Sequence, residues 1–268
     1  MYGEESPKEL PKELTEKEIE KWLFEEEPRN NYFCCLIYGM DGTGKSGIVQ
    51  SFPLKDNEIM IILDLDGGNL PLLKYHPDKK ILVKNPLTTK LTKEGIVIDY
   101  VTTMNKIKAT VQYARDNYKK HNIVAFCLDG LSTLLKHAEY QMRIEHNITV
   151  DGGVMLRYWI HRAKLFIEIL EQIKALPMHK FFIAHEDFIP KDSVDLAQVK
   201  QKTNQMMFQK LRCIREDNMD FVIFKGIIDK NKFAAATEGK EIEFCRVDKR
   251  KNTADWTGEK IFEIIGGR

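Results

Sequence analysis

Gly39-Met40-Asp41-Gly42-Thr43-Gly44-Lys45-Ser46 fits the spacing G-x-x-x-x-G-K-[ST], directly after an apolar run and before a segment of helical character. Glycines at these positions let successive backbone N–H groups turn inward and form a nest for an anion. Lys45 would reach the outer phosphates of a triphosphate as a point charge, and the Ser46 hydroxyl would take Mg²⁺. The helix that follows would direct its positive end at the same phosphates. The loop residues Gly39, Asp41, Gly42, Thr43, Gly44, Lys45 and Ser46 are thus expected to bind a nucleotide with its magnesium. Hydrolysis also needs a metal-polarising carboxylate and a group that orients water. Two acidic strand ends offer them. The run VAFCLD ends at Asp129, placed to hold Mg²⁺ or, alternatively, to cap the next helix. The run IMIILDLD ends with Asp64 and Asp66, which strand alternation points to one side, so that one of them could prime the attacking water.

These residues need strands to carry them. Apolar runs at 32–38, 58–64, 122–129 and 180–185 are nearly continuous, as strands buried on both faces should be. Between them Ile107, Val111, Ala114 and Tyr118, and then Leu156, Ile160, Ala163, Ile167 and Leu170, recur at helical spacing. The alternation predicts an α/β fold with a mainly parallel sheet covered by helices. After about residue 195 another helical stretch is expected, then strands at 221–228, 241–247 and 260–264 closing the sheet with hairpins. Residues 1–30 form a separate acidic arm, with ten glutamates against four lysines and one arginine. Thr15 and Glu18 at capping-box spacing predict a short helix from about 15 to 27, and the arm is expected to serve as a contact for a protein partner. Residues 31–268 make up the second domain.

Composition narrows the classes. The chain has 268 residues, 43% hydrophobic and 30% charged, enough for a sizeable core. Lys+Arg of 41 against Asp+Glu of 40 gives a formal charge of +1, so any contact with nucleic acid must come from local patches and not from bulk charge. No apolar run reaches the roughly 18 residues of a membrane span, and the chain reads as intracellular and cytoplasmic. Five cysteines without a CxxC pair suit buried thiols in a reducing compartment. The histidines other than His185 show no metal-ligand spacing.

The succession LIYGMDGTGKS, IILDLDGG, AFCLDGLSTL and LPMHKFFIAHED resembles the RecA-like core ATPases, most closely the phage and archaeal subgroup that acts in recombination and single-strand annealing. The likeness covers roughly residues 32–265. It implies a three-layer RecA-like core that binds ATP and Mg²⁺, hydrolyses ATP and acts on single-stranded DNA. It makes Asp66 the catalytic base, where the family usually carries Glu; the shorter Asp implies slow turnover. It makes His185 the γ-phosphate sensor, with Glu186 or Asp187 holding its other ring nitrogen. The family completes each site with basic residues from a neighbour, so a homo-oligomer, ring or filament, is implied. Lys249 and Lys251 are the preferred donors, with Lys230-Asn231-Lys232 the alternative. Single-strand-binding loops would fall at His146 to Gly153 and at about Asp187 to Lys202, the second carrying Phe188, Lys191, Lys200 and Lys202. Two other functions fit the same core: a DNA packaging or helicase motor, and a recombination mediator that uses ATP as a clamp with little turnover.

Overall fold

The computed structural model describes residues 15–24, 32–93, 95–149, 151–186 and 197–266. The chain divides into two units, residues 1–31 and 32–268. In the first, α1 (Glu16–Phe24) begins at a reciprocal cap: the Thr15 backbone N–H donates to Glu18 Oε2 at 2.8 Å, and the Glu18 N–H donates back to Thr15 Oγ1 at 3.4 Å.

The second unit is built on a nine-stranded sheet. Its strands are β1 (Cys34–Gly39), β2 (Ile59–Asp64), β3 (Lys80–Lys84), β6 (Ile123–Asp129), β7 (His179–His185), β8 (Gln209–Asp217), β9 (Phe221–Asn231), β10 (Glu241–Asp248) and β11 (Thr253–Trp256). They lie in the order β11-β10-β9-β8-β1-β7-β6-β2-β3. Strands β3, β2, β6, β7, β1 and β8 run parallel, and β9, β10 and β11 continue the sheet as antiparallel hairpins. A separate hairpin pairs β4 (Thr89–Thr92) with β5 (Gly95–Ile98).

Alternating side chains of the central strands feed two cores. Cys34, Leu36 and Tyr38 of β1 join α3 (Tyr100–His121), α4 (Leu131–Glu145) and α5 (Leu156–Lys174) on one face. Phe33, Cys35 and Ile37 join α2 (Lys45–Gln50) and α7 (Glu259–Ile264) on the other. This is the three-layer core with C-terminal hairpins that the sequence predicts. All five cysteines are buried and free. Among the described residues no helix is long and apolar enough to cross a membrane.

Two expectations need correction. Residues 260–264 are not a strand: Ile261, Phe262 and Ile265 are buried while Glu259, Lys260 and Glu263 are exposed, a helical pattern compressed into too few residues to be distinguished from alternation. The stretch after residue 195 is only partly helical. Helix α6 (Ala197–Met206) ends where β8 begins, and β8 buries Gln209, Leu211 and Cys213 in strict alternation with charged residues.

Candidate functional site

Four parallel strands deliver their C-terminal ends to one place. Gly39 ends β1 and is the register partner of His185 at the end of β7; Asp64 of β2 pairs with Asp129 of β6. The loop 39–46 leaves β1 there, over a cleft of about 640 Å³. That volume suits a small-molecule ligand. Gly44 closes the loop in the left-handed region at φ 83°, and Gly42 sits at φ 70°. Side chains are strained at both values, so the glycines are what allows the loop to turn. Lys45 Nζ folds back onto the loop's own carbonyls, Gly39 O at 3.0 Å and Met40 O at 2.7 Å. Phosphate oxygens would replace those acceptors.

Ser46 Oγ donates to Asp129 Oδ2 at 2.6 Å, and Asn69 Nδ2 donates to the same oxygen at 2.7 Å. Burial pushes the Asp129 carboxyl up to about 6; the two hydrogen bonds oppose the shift, and the nearby Asp64 and Asp66 carboxylates add to it. A hydroxyl beside a buried carboxylate is a hard oxygen pair suited to Mg²⁺ completed by phosphate and water. Ser46 and Asp129 therefore fit the expected ion.

Asp64 and Asp66 do not share a site as alternation predicts, because β2 ends at Asp64 and the chain then turns. Asp64 is buried and shapes that turn, its two oxygens accepting the Gly67 N–H at 2.8 Å and the Asn69 N–H at 2.9 Å. Asp66 faces the cleft: Thr133 Oγ1 donates to its Oδ1 at 2.5 Å, and His185 Nε2 lies 3.7 Å from its Oδ2. The other ring nitrogen of His185 is 2.9 Å from Asp41 Oδ1. His185 thus spans the glycine-rich loop and the candidate base. Its carboxylate partners are Asp41 and Asp66 in place of the expected Glu186; Asp187 lies outside the described residues.

The basic runs separate cleanly. Lys249, Arg250 and Lys251 form the turn between β10 and β11, at the same sheet edge as the loop. Lys249 is held by Asp217 and by the Asn218 carbonyl at 2.5 Å, and Lys251 lies 3.9 Å from Asp248. Lys230 and Lys232 flank Asn231, the partner of Gln209, which in turn pairs with Cys35 near the start of β1. They sit at the opposite edge. Of the expected DNA loops, Arg143 Nη1 ties the first by donating to the carbonyls of Thr149 and Gly152, both at 3.0 Å. Most of the second, with Phe188 and Lys191, lies outside the described residues, as does the Lys200 side chain; Lys202 is 3.5 Å from Glu171.

Several residues at this site carry no local sequence signal. Asn69 and Thr133 reach the acids through tertiary structure. Arg215 places Nη1 3.7 Å from where a Gly42 side chain would begin, while its Nη2 donates to Asp217 at 2.6 Å. Tyr75, Phe224 and Trp256 line the far wall of the cleft, with the Tyr75 and Trp256 rings 6.0 Å apart. The Trp256 indole packs so closely on Gly47 that any side chain there would collide with it. Its Nε1 is buried without a hydrogen-bond partner among the described residues.

No family model matches the chain, and no curated protein matches it in sequence. Among solved structures it is similar to the flagellar accessory protein FlaH from Methanocaldococcus jannaschii, at 15% identity and a TM-score of 0.43 over 79% of this chain and 84% of that one. It is also similar to the KaiC-like protein PH0186 from Pyrococcus horikoshii OT3, at 12% identity and a TM-score of 0.44 over 84% and 89%. Both likenesses are shallow. The chain's own geometry brings together a glycine-rich loop, a hydroxyl and carboxylate pair suited to a hard cation, and a second acid bridged to the loop by a histidine.

Proposed function

We propose that this protein is a RecA-like, magnesium-dependent ATPase that acts on single-stranded DNA in recombination or annealing. The observation that carries the ATPase reading is the junction of Ser46 with Asp129 beneath a loop whose lysine rests on replaceable carbonyl acceptors. Bound magnesium would neutralise charge on the β- and γ-phosphates. Lys45 would leave Gly39 O and Met40 O for phosphate oxygens, and the loop N–H groups would fix the triphosphate. Asp66, with Oδ1 accepting from Thr133, would orient the attacking water and take its proton. His185 would register the γ-phosphate, since movement at Asp41 alters its contact with Asp66. Tyr75 and Trp256 supply stacking surface for a base. Lys249 and Lys251 would reach the site of a neighbouring copy in a homo-oligomer. The DNA role is supported by the order and spacing of the sequence motifs.

One observation favours a second reading, an ATP-clamped mediator with little turnover: both Asp66 oxygens already face partners, Thr133 and His185, which would hold back a water-orienting carboxylate. Steady-state ATP hydrolysis with and without single-stranded DNA separates the two. DNA-stimulated turnover that Asp66→Asn abolishes while ATP affinity stays supports the first. Tight MgATP binding with negligible turnover supports the clamp, and hydrolysis unchanged in Asp66→Asn removes Asp66 from the role given to it.

A further inference from the structure

The sheet edge opposite the nucleotide cleft carries a cluster of lysines that the ATPase site does not use. Four adjacent strands meet there in sequence: Lys180 pairs with Cys34, the Phe208 N–H donates to Cys34 O at 2.8 Å, and the Lys232 N–H donates to Phe208 O at 3.0 Å. Lys174, at the end of α5, and Lys232 both approach the Phe208 ring, at 5.9 and 5.5 Å from its centre. Lys210 and Lys230 are direct cross-strand partners on β8 and β9. Like charges placed opposite one another in a sheet destabilise it.

Rings and carbonyls, not ion pairs, meet this charge: Lys180 Nζ lies 5.1 Å from the centre of the Tyr32 ring and Lys210 Nζ 5.6 Å from that of Tyr38. The Lys180 ammonium donates to the Leu176 carbonyl at 3.1 Å and Lys230 to the Asn204 carbonyl at 3.3 Å. Among the described residues none of Lys174, Lys180, Lys210, Lys230 and Lys232 has a carboxylate within ion-pair distance. The nearest acids are engaged elsewhere. Asp229 accepts from the Tyr38 hydroxyl and lies 3.8 Å from Arg212, and Glu238 accepts the Asn231 N–H at 2.8 Å. Burial holds Lys180 down at about 8, with Lys174 adding to the effect and Cys34 opposing it. Burial also lowers Lys230, and repulsion from Lys232 and Lys210 lowers it further. Cations met by rings and carbonyls but by no carboxylate leave room for an anion.

The aromatic residues identify which anion. Phe233 is 39% exposed, and its ring stands 5.8 Å from that of Phe208. An exposed ring beside one that two lysines flank suits a ligand that alternates phosphates with flat bases, and no such ring is needed to hold a simple anionic surface. We propose that this edge binds single-stranded nucleic acid, with phosphates on Lys174, Lys210, Lys230 and Lys232 and a base against Phe233. The inference rests on the nucleic-acid half of the function proposed above and not on its ATPase half. It gives Lys230-Asn231-Lys232 a place in binding the strand, remote from the nucleotide of its own subunit.

Fluorescence anisotropy of a labelled oligo-dT, titrated with full-length protein over a range of salt, tests it. Lys174→Glu/Lys232→Glu is expected to weaken binding at least tenfold and to flatten the log–log salt slope by about 1.4, the value for two lost phosphate contacts on a single strand. Phe233→Ala is expected to weaken binding about fivefold or more with the slope unchanged. Lys119→Glu/Lys120→Glu, the same charge change on exposed positions of α3, is expected to leave the slope alone. MgATP affinity and the urea midpoint, measured on each variant, confirm that the fold is intact. Equal affinity and slope in wild type and the Lys174/Lys232 variant would overturn the inference while leaving nucleic-acid binding in place. Wild-type protein that ignores oligo-dT and binds anionic vesicles instead would overturn both, with nucleotide binding untouched.

Discussion

Replacing Asp129 by Asn should make the ligand-free protein more stable and the nucleotide-bound protein less so. The Asp129 carboxyl is 3% exposed, and its folded-state value of about 6 stands above an ordinary 3.8 chiefly because burial penalises the charge. Between pH 4 and 6 the native state therefore holds a proton that the unfolded chain has released. Stability contributed by this group is full below that window, falls as pH rises through it, and stays low above it. A shift of about two units corresponds to about 3 kcal/mol. Asn cannot ionise, and its amide oxygen can still accept from Ser46 and Asn69, so the variant escapes most of the penalty. Urea unfolding without nucleotide should find Asp129→Asn more stable than wild type by about 1 to 3 kcal/mol at pH 8, with the difference vanishing near pH 4. Added MgATP should reverse the order if Asp129 serves the magnesium side as proposed, because wild type then gains stability from binding that the variant lacks. A variant that is destabilised equally at both pH values would refute the reasoning, since Asp129 would then be contributing hydrogen bonds and not a suppressed charge.

Three further outcomes follow from the geometry. Gly47→Ala drives a methyl group into the Trp256 indole, and is expected to cost about 1 to 3 kcal/mol in urea unfolding with a change in tryptophan fluorescence; an unchanged midpoint would mean that β11 yields freely. His185→Ala should keep MgATP binding but remove the dependence of DNA affinity on nucleotide, because the link between Asp41 and Asp66 is gone; retained coupling would make His185 a structural residue. Arg215→Ala should weaken MgATP binding about tenfold in calorimetry, as expected for one lost charge-assisted contact beside Gly42, whereas unchanged affinity would show that the guanidinium stays with Asp217.

The parts of this molecule legible in the sequence are those whose chemistry is local. The loop 39–46 announces itself because a chain that turns through left-handed conformations needs glycines at those positions, and the buried central strands because strands covered on both faces must be apolar throughout. Thr15 and Glu18 are read correctly for the same reason: a capping box is satisfied within four residues. What depends on tertiary placement was not legible. Strand β8 carries lysine and arginine between its buried residues, and this masks it as a polar helix. Asp64 and Asp66 look equivalent until the chain turns, and only the turn sends one to cap Gly67 and Asn69 and the other to the cleft. Asn69, Arg215 and Trp256 lie 23 or more positions from the loop they serve, and no spacing rule reaches that far. The two lysine runs are alike in composition, yet the hairpins put them at opposite edges of the sheet.

The proposed function requires that the loop amides and Lys45 hold a triphosphate. Isothermal titration of MgATP into wild type and Lys45→Ala measures it directly. Wild type is expected to bind saturably near one nucleotide per chain, with affinity lower by about 10- to 100-fold in Lys45→Ala, the cost of one charged contact to phosphate. Wild-type protein that takes up no nucleotide at millimolar MgATP, or a Lys45→Ala variant that binds as tightly as wild type, would contradict it.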